Sequence, residues 1–219
     1  MYNVFRKGID VSVYQQNIEW KKVKKEVDFV IIRGGFSRTV DEYAERNIRG
    51  CIENNIPFGL YWFSYATNTE LAEQEATTAI NLLGGRPITY PIYFDFEYDS
   101  ANYCRKKGVD VTQELVRTLT KAFCNTIRKH GYDTGFYANP DYISHYYGIN
   151  FADENKYRLW LAHWGIDEPK YKHDMWQFSD CEFVDGIHGY VDMNYIPMPT
   201  GKVLEITMEG DRNGCTKSR

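Results

Sequence analysis

The sequence predicts an α/β barrel with a helix-poor final third, and three observations carry that expectation. Eight short β-rich apolar runs are spread along the chain, amphipathic helical patterns separate the early ones, and acidic residues recur where several runs end. Alternating strands and helices imply a parallel sheet with crossover helices, and eight strands are enough to close it. An open doubly wound sheet is the alternative. No G-x-G-x-x-G turn follows the first strand to support a dinucleotide site in such a sheet.

The candidate strands are Lys7–Val11, Phe29–Arg33, Phe58–Tyr65, Ile88–Glu97, Gly135–Ala138, Arg158–Trp164, Met175–Phe178 and Tyr190–Asn194. Helical periodicity occupies Asn17–Lys25 and then Asp41–Asn54, where Ala44, Ile48, Cys51 and Ile52 share a face. It returns over Thr69–Leu83, with Ala72, Ala76, Ala79, Ile80 and Leu83 aligned, and over Thr112–His130, with Leu115, Leu119, Ala122, Phe123 and Ile127 aligned. Thr112 and either Asn68 or Thr69 stand where N-caps belong, and Gly84-Gly85 and Gly131 can take the left-handed conformation that closes a helix. Beyond Ala138 the helical signal fades and the last three strands crowd together.

With 219 residues, 43% of them hydrophobic and 26% charged, the chain can build the core of one large domain. We expect that domain over 1–198 and a polar tail or linker over 199–219. No stretch approaches the roughly 18 consecutive apolar residues of a membrane span, and Met1–Asp10 lacks the apolar core of an export signal. No membrane partner is expected. A net charge of -4 offers no broad basic footprint, so no nucleic-acid partner is expected either. Cys51, Cys104, Cys124, Cys181 and Cys215 are far apart and odd in number, which argues against a disulfide framework or a zinc knuckle. His130, His145, His163, His173 and His188 show no HxH or HExxH spacing, so no metal is expected, and no G-x-S-x-G elbow supports acyl transfer. Lys21-Lys22-Val-Lys24-Lys25, the one basic run, reads as a solvated helix face.

The sharpest signal is acidic. Asp10 ends the first strand, Asp95 and Glu97 end the fourth, and Asp192 lies on the last. In a parallel barrel the C-terminal ends of the strands carry the active site. Carboxylates gathered there raise one another's pKa, which keeps a proton available for general-acid work. Along Pro91-Ile-Tyr-Phe-Asp-Phe-Glu97 the period of two puts Tyr93, Asp95 and Glu97 on one face and Ile92, Phe94 and Phe96 on the other. The apolar set should meet the helices, leaving the acids in the barrel mouth. An acid at a strand end can also cap a helix or pair with an arginine such as Arg33, but two inward acids on one central strand favour chemistry.

Aromatic residues make up 16% of the chain, including 18 Tyr and 5 Trp. Tyr61, Phe63 and Tyr65 share a face of the third strand, while Tyr137 and Trp164 fall near the ends of the fifth and sixth. These rings can floor a sugar groove or serve as core. Gln177 can donate to a substrate hydroxyl or satisfy backbone, and Arg33 is a further candidate contact.

Taken in order, Gly8-Ile-Asp-Val-Ser12 followed by Gln15, Phe29-Val-Ile-Ile-Arg33, Gly59-Leu-Tyr-Trp-Phe63, Pro91-Ile-Tyr-Phe-Asp-Phe-Glu97, Gly135-Phe-Tyr137, Leu159-Trp-Leu-Ala162, Trp176-Gln177 and Val191-Asp-Met-Asn194 resemble the glycoside hydrolase family 25 muramidases, the Chalaropsis-type lysozymes. The resemblance runs from about Gly8 to Pro197. It implies a modified TIM-like barrel, (β/α)5(β)3, that cleaves the β-1,4 bond between N-acetylmuramic acid and N-acetylglucosamine without a cofactor. By motif, Glu97 matches the general acid, Asp95 its partner carboxylate, and Asp10 and Asp192 the other acids of the catalytic set. It further implies a retaining reaction assisted by the substrate's own N-acetyl group, peptidoglycan glycan strands as the partner, a monomer, and action outside the cell, at the wall or after phage release.

Two positions depart from the family pattern. Arg33-Gly-Gly-Phe36 stands where some relatives carry a Lys and a Glu, and Trp62 where many carry His, which puts sugar contacts in question. The rival enzyme is a family 18 type chitinase or endoglucosaminidase, whose D-x-x-D-x-D-x-E run needs Asp where this chain has Tyr93. The rival from another class is a non-catalytic glycan-binding barrel, which has no evident use for four mutually repelling carboxylates.

Overall fold

The computed structural model describes residues 5–197. The strands are β1 (Phe5–Val11), β2 (Phe29–Phe36), β3 (Thr39–Val40), β4 (Phe58–Phe63), β5 (Ile92–Asp95), β6 (Thr134–Ala138), β7 (Arg158–Ala162), β8 (Met175–Glu182) and β9 (Val191–Pro197). The circuit β1-β2-β4-β5-β6-β7-β8-β9 returns to β1, because β1 pairs with β2 on one side and β9 on the other. The barrel is therefore closed, and the open sheet is excluded. Neighbours from β1 through β8 run parallel, while β9 is antiparallel to both β8 and β1. β3 is a two-residue ribbon folded back on the end of β2.

The helices are α1 (Trp20–Val23), α2 (Ala44–Glu53), α3 (Thr69–Leu83), α4 (Tyr98–Lys106), α5 (Gln113–Lys129), α6 (Pro140–Tyr142, continued by one wide turn over Ile143–Tyr147) and α7 (Phe151–Asn155). They fall in the first five connections of the barrel circuit, from β1 to β7 with β3 left out of the count, giving the expected (β/α)5(β)3 order. The Asn68 side chain caps α3 by accepting from Leu71 N–H at 2.9 Å, Thr112 does the same for α5 from Leu115 N–H at 3.1 Å, and Gly84 closes α3 at φ 55.

Local structure departs from expectation at several places. The first helical pattern shrinks to Trp20–Val23, and the fourth strand runs only from Ile92 to Asp95, so that Glu97 leaves the strand and becomes the N-cap of α4. Its backbone stays extended, φ -120 and ψ -169, which carries the alternation past the last ladder bond. The fading of helix after Ala138 is corrected by α6 and α7. α6 starts from an Asn139 side chain that accepts Tyr142 N–H at 2.9 Å, with Pro140 in its first turn. The polar tail expected over 199–219 lies outside the described residues.

Side chains divide by strand alternation. Ile92, Phe94 and Phe96 join the layer between sheet and helices, while Tyr93 points into the barrel with Phe29, Ile31, Tyr137, Trp160 and Met175. Trp160 is the hub of that interior. Tyr61, Tyr93 and Tyr137 meet its ring at centroid distances of 5.7, 5.3 and 4.9 Å. Tilted and edge contacts of this kind add to plain apolar burial, and they plug the barrel beneath the acidic end. Cys51, Cys104 and Cys124 are buried free thiols, Cys181 is half-buried, and Cys215 lies outside the described residues.

Candidate active site

All four predicted acids come together at the C-terminal end of the parallel strands. Asp10 and Asp192 are direct partners across the antiparallel β1–β9 pair and so share a face. Asp95 ends β5, and Glu97 follows in the turn to α4. The buried Tyr137 phenol, pushed well above its usual range first by burial, also feels the charges of Glu97, Asp95, Asp10 and Asp192. One phenol within electrostatic reach of all four places them around a single mouth.

Asp95 is the floor of that mouth. It is 4% exposed, and its Oδ1 has no hydrogen-bond partner among the described residues. Burial lifts its carboxyl well above the usual carboxylate range, Glu97 and Asp10 push it further, and Arg33 opposes them. Glu97 is half-buried and reachable from solvent. Its backbone N–H donates to Ser100 Oγ at 3.0 Å, which fixes the chain direction at the start of α4. A proton held among crowded carboxyls, with one carboxyl dry and one accessible, is the equipment of acid-catalysed bond cleavage.

Asp10 is held from two sides. Gln177 Nε2 and Asn194 Nδ2 both donate to its Oδ2, at 2.9 and 2.8 Å. Asn194 Oδ1 in turn accepts the Trp160 indole N–H at 2.7 Å, and Gln177 Oε1 accepts from the Tyr137 hydroxyl at 2.9 Å and the Trp164 indole N–H at 3.1 Å. Asn194 and Trp160 stand within motifs that the sequence singled out, but neither was given a role from sequence. The signal for Asn194 was present, since it lies two residues beyond Asp192 and therefore on the same face of β9.

The predicted aromatics surround the acids. Burial first, and then the charge of Asp10, pushes the Tyr61 phenol well above its usual range. Phe63 stands in register with Asp95, and Tyr65 continues the row, at 5.3 Å from Phe63 and 5.2 Å from Tyr103. Trp164 is 38% exposed beyond the end of β7. Arg33 donates through Nε to the fully buried side chain of Asp41 at 2.7 Å and lies over the Tyr14 ring at 5.0 Å. Asp41 also accepts the Val13 and Tyr43 N–H groups, so it ties the β1 and β2 loops together. Neither Asp41 nor Tyr14 was singled out from sequence. Trp62 does not face the mouth. It packs in the outer layer, and its N–H donates to Ser37 O at 2.7 Å, bracing the turn between β2 and β3. Among the described residues no group of three or more His, Cys, Asp or Glu side chains is placed to hold a metal ion, and no helix is long and apolar enough to cross a membrane.

A closed α/β barrel with a carboxyl cluster and aromatic walls at the C-terminal end of its strands defines a glycosidase-type architecture. The sequence model described as glycosyl hydrolases family 25 matches residues 9–187, and this chain belongs to that family. Among curated proteins it is similar to the uncharacterized protein YegX of Escherichia coli K12, 27% identical over 199 residues that cover 85% of this chain and 68% of that protein. Among solved structures it is similar to the modular autolysin LytC of Streptococcus pneumoniae, with TM-score 0.73 and 28% identity over 87% of this chain and 46% of that one. This chain thus matches about half the length of LytC. The fold is also that of a family 25 glycosyl hydrolase from Bacillus anthracis, with TM-score 0.75, 22% identity, and coverage of 89% and 90%.

Proposed function

We propose that this protein hydrolyses peptidoglycan, cutting the β-1,4 bond between N-acetylmuramic acid and N-acetylglucosamine. The observation that carries the reading is the convergence of Asp10, Asp95, Glu97 and Asp192 on one mouth with Asp95 buried and elevated. Family membership supports it, as does LytC, whose structure has been solved with a synthetic peptidoglycan ligand. The partner is then the glycan strand of the wall, reached from outside the cell or after release at lysis.

In this reading Asp95 and Glu97 hold one proton between them. Glu97, the accessible member, delivers it to the glycosidic oxygen as the C1–O bond breaks. The substrate's N-acetyl carbonyl oxygen closes on C1 and forms an oxazolinium, whose positive charge the Asp95 carboxylate stabilises. Water activated by Glu97 then reopens the ring. An anion at Asp95 is costly in the empty mouth and is relieved when cationic charge develops beside it. That difference lowers the barrier rather than merely tightening binding. Tyr61, Phe63, Tyr65, Tyr137 and Trp164 supply faces and edges for the sugar rings, Arg33 a cation at the side, and Asp10 and Asp192 the far wall.

The test is a digest of mixed peptidoglycan by wild type and by Glu97→Gln, with borohydride reduction and mass spectrometry of the new ends. Muramitol from wild type, and a loss of about 10²–10⁴-fold in the variant with an unchanged melting profile, are expected. Glucosaminitol ends refute the bond assignment, full activity of Glu97→Gln refutes the acid, and binding without any new ends returns the chain to a glycan-binding role.

A further inference from the structure

Gln177 is 3% exposed, and each end of its amide is committed. Oε1 accepts from Tyr137 Oη and Trp164 Nε1, while Nε2 donates to Asp10 Oδ2. An amide has one acceptor end and one donor end. Turning it over would set the NH2 group against the Trp164 indole, which can only donate, and the carbonyl against a carboxylate, so the surroundings permit one orientation. Asn194 repeats the pattern, with the Trp160 indole on its oxygen and Asp10 on its nitrogen. Two indole-to-amide-to-carboxylate chains therefore end on the same oxygen of Asp10. One of the two indoles, Trp164, is partly open to solvent, and the other is buried.

We propose that Gln177 is a positioning residue that couples the exposed Trp164 ring to the Asp10 carboxylate, so that one amide sets both the sugar platform and the geometry of the acidic wall. This rests on the reading of the mouth as a saccharide site. The amide's occupied oxygen and its burial leave it little to offer a substrate hydroxyl directly, which was the alternative use of this residue. A sugar stacked on Trp164 meets a ring fixed by its own N–H, and any rotation of that ring pulls on the group that orients Asp10. Side chains held this way lose less freedom when the substrate arrives.

Gln177→Glu tests the coupling because its outcome depends on protonation. When protonated, the new carboxyl reproduces the amide: its carbonyl accepts from Tyr137 and Trp164, and its hydroxyl donates to Asp10. When ionised, it faces Asp10 as a second carboxylate. The titratable groups around this position are Asp10 on β1 and Tyr137 on β6, whose phenol feels Asp95, Glu97 and Asp192, together with Tyr61 on β4, which feels Asp10, and His163 after β7, whose backbone N–H donates to Gln177 O and whose imidazole is lowered by burial; all of them are common to the three proteins compared. Turnover of soluble uncrosslinked peptidoglycan chains is measured from about pH 4.5 to about pH 7.5 for wild type, Gln177→Glu and the unbranched Gln177→Met, with far-UV circular dichroism confirming folding at each pH. We expect Gln177→Glu to approach wild type at the acid end and to fall behind by roughly tenfold or more at the neutral end, with Gln177→Met reduced in kcat throughout.

Parallel profiles for wild type and Gln177→Glu overturn the coupling, as does full kcat in Gln177→Met. If wild type itself cuts no glycan, the saccharide reading fails, and tryptophan emission decides the coupling instead. The Trp164 contribution, obtained by difference from Trp164→Phe in each background, should titrate in Gln177→Glu and stay flat in the parent. Emission that is flat in both backgrounds overturns the proposal.

Discussion

Glu75 offers the most quantitative test of the packing around the mouth. It lies on the buried face of α3, 1% exposed, where its Oε2 accepts from Ser64 Oγ at 2.6 Å and its Oε1 from Tyr65 N–H at 3.0 Å. It thereby pins the loop after β4 that presents Tyr65. Burial pushes its carboxyl up to about 8 from 4.5, against the pull of both hydrogen bonds. The folded protein keeps this proton up to about pH 8, whereas the unfolded chain releases it near 4.5. The stability it contributes is therefore whole below 4.5, declines through the interval and is gone above about 8.

Glu75→Gln cannot ionise and escapes that decline, worth about 3–5 kcal/mol over the window once the site relaxes around the charge. The amide keeps an acceptor for Tyr65 N–H but sets an NH2 group against Ser64, which costs about 1 kcal/mol. The variant should be slightly less stable than wild type at about pH 5 and more stable by a few kcal/mol at about pH 8.5. Urea unfolding of both proteins at each pH reads the difference directly. A stability difference that stays constant across the window refutes the buried, neutral Glu75.

Three further outcomes follow from other contacts. Asp95→Asn should lower turnover by about 10²–10³-fold and move the alkaline limb of the pH–rate profile to lower pH, since the charge opposing proton loss from the acid is gone; an unmoved limb contradicts the shared proton. Asp41→Ala strands the Arg33 guanidinium and two backbone N–H groups, and should cost about 3–5 kcal/mol in urea unfolding, whereas a loss below about 1 kcal/mol places that ion pair among weak surface pairs. In Gly50→Ala the new Cβ would lie 2.1 Å from Trp20 Nε1, where α2 crosses the α1 tryptophan, so a destabilisation of about 1–3 kcal/mol is expected in thermal melts.

The barrel was legible because its strands are distinct apolar runs bounded by turns and α2, α3 and α5 present full amphipathic faces. α4 escaped because its buried side is made of Ser100, Ala101 and Cys104, too little apolar surface to register as a stripe. α6 and α7 are too short to show a period, and α6 announces itself only by the Asn139-Pro140 cap. The acids were legible from strand ends alone. Their partners were harder to read, because Asp41, Gln177 and Asn194 act across 8, 167 and 184 positions of chain, and no local spacing encodes such pairings. Glu75 did leave a trace: an acid three residues after Ala72 and one before Ala76 interrupts the apolar face of α3, and only a carboxyl with internal partners belongs there.

The same logic separates Asp95 from Glu75 and Asp10. Glu75 is buried with both oxygens satisfied, and Asp10 receives two N–H donors on one oxygen. Asp95 is buried as deeply as either in practical terms, yet leaves Oδ1 without a partner among the described residues. A structural acid in such a place would be replaced by an apolar residue at little loss, because an unmet buried acceptor costs about 1–3 kcal/mol. The Phe94 and Phe96 rings on either side in sequence are fully committed to the outer layer, so nothing in the packing demands a carboxyl at position 95. In the proposed reaction Asp95 Oδ1 is the acceptor left to meet the positive charge that develops on the substrate.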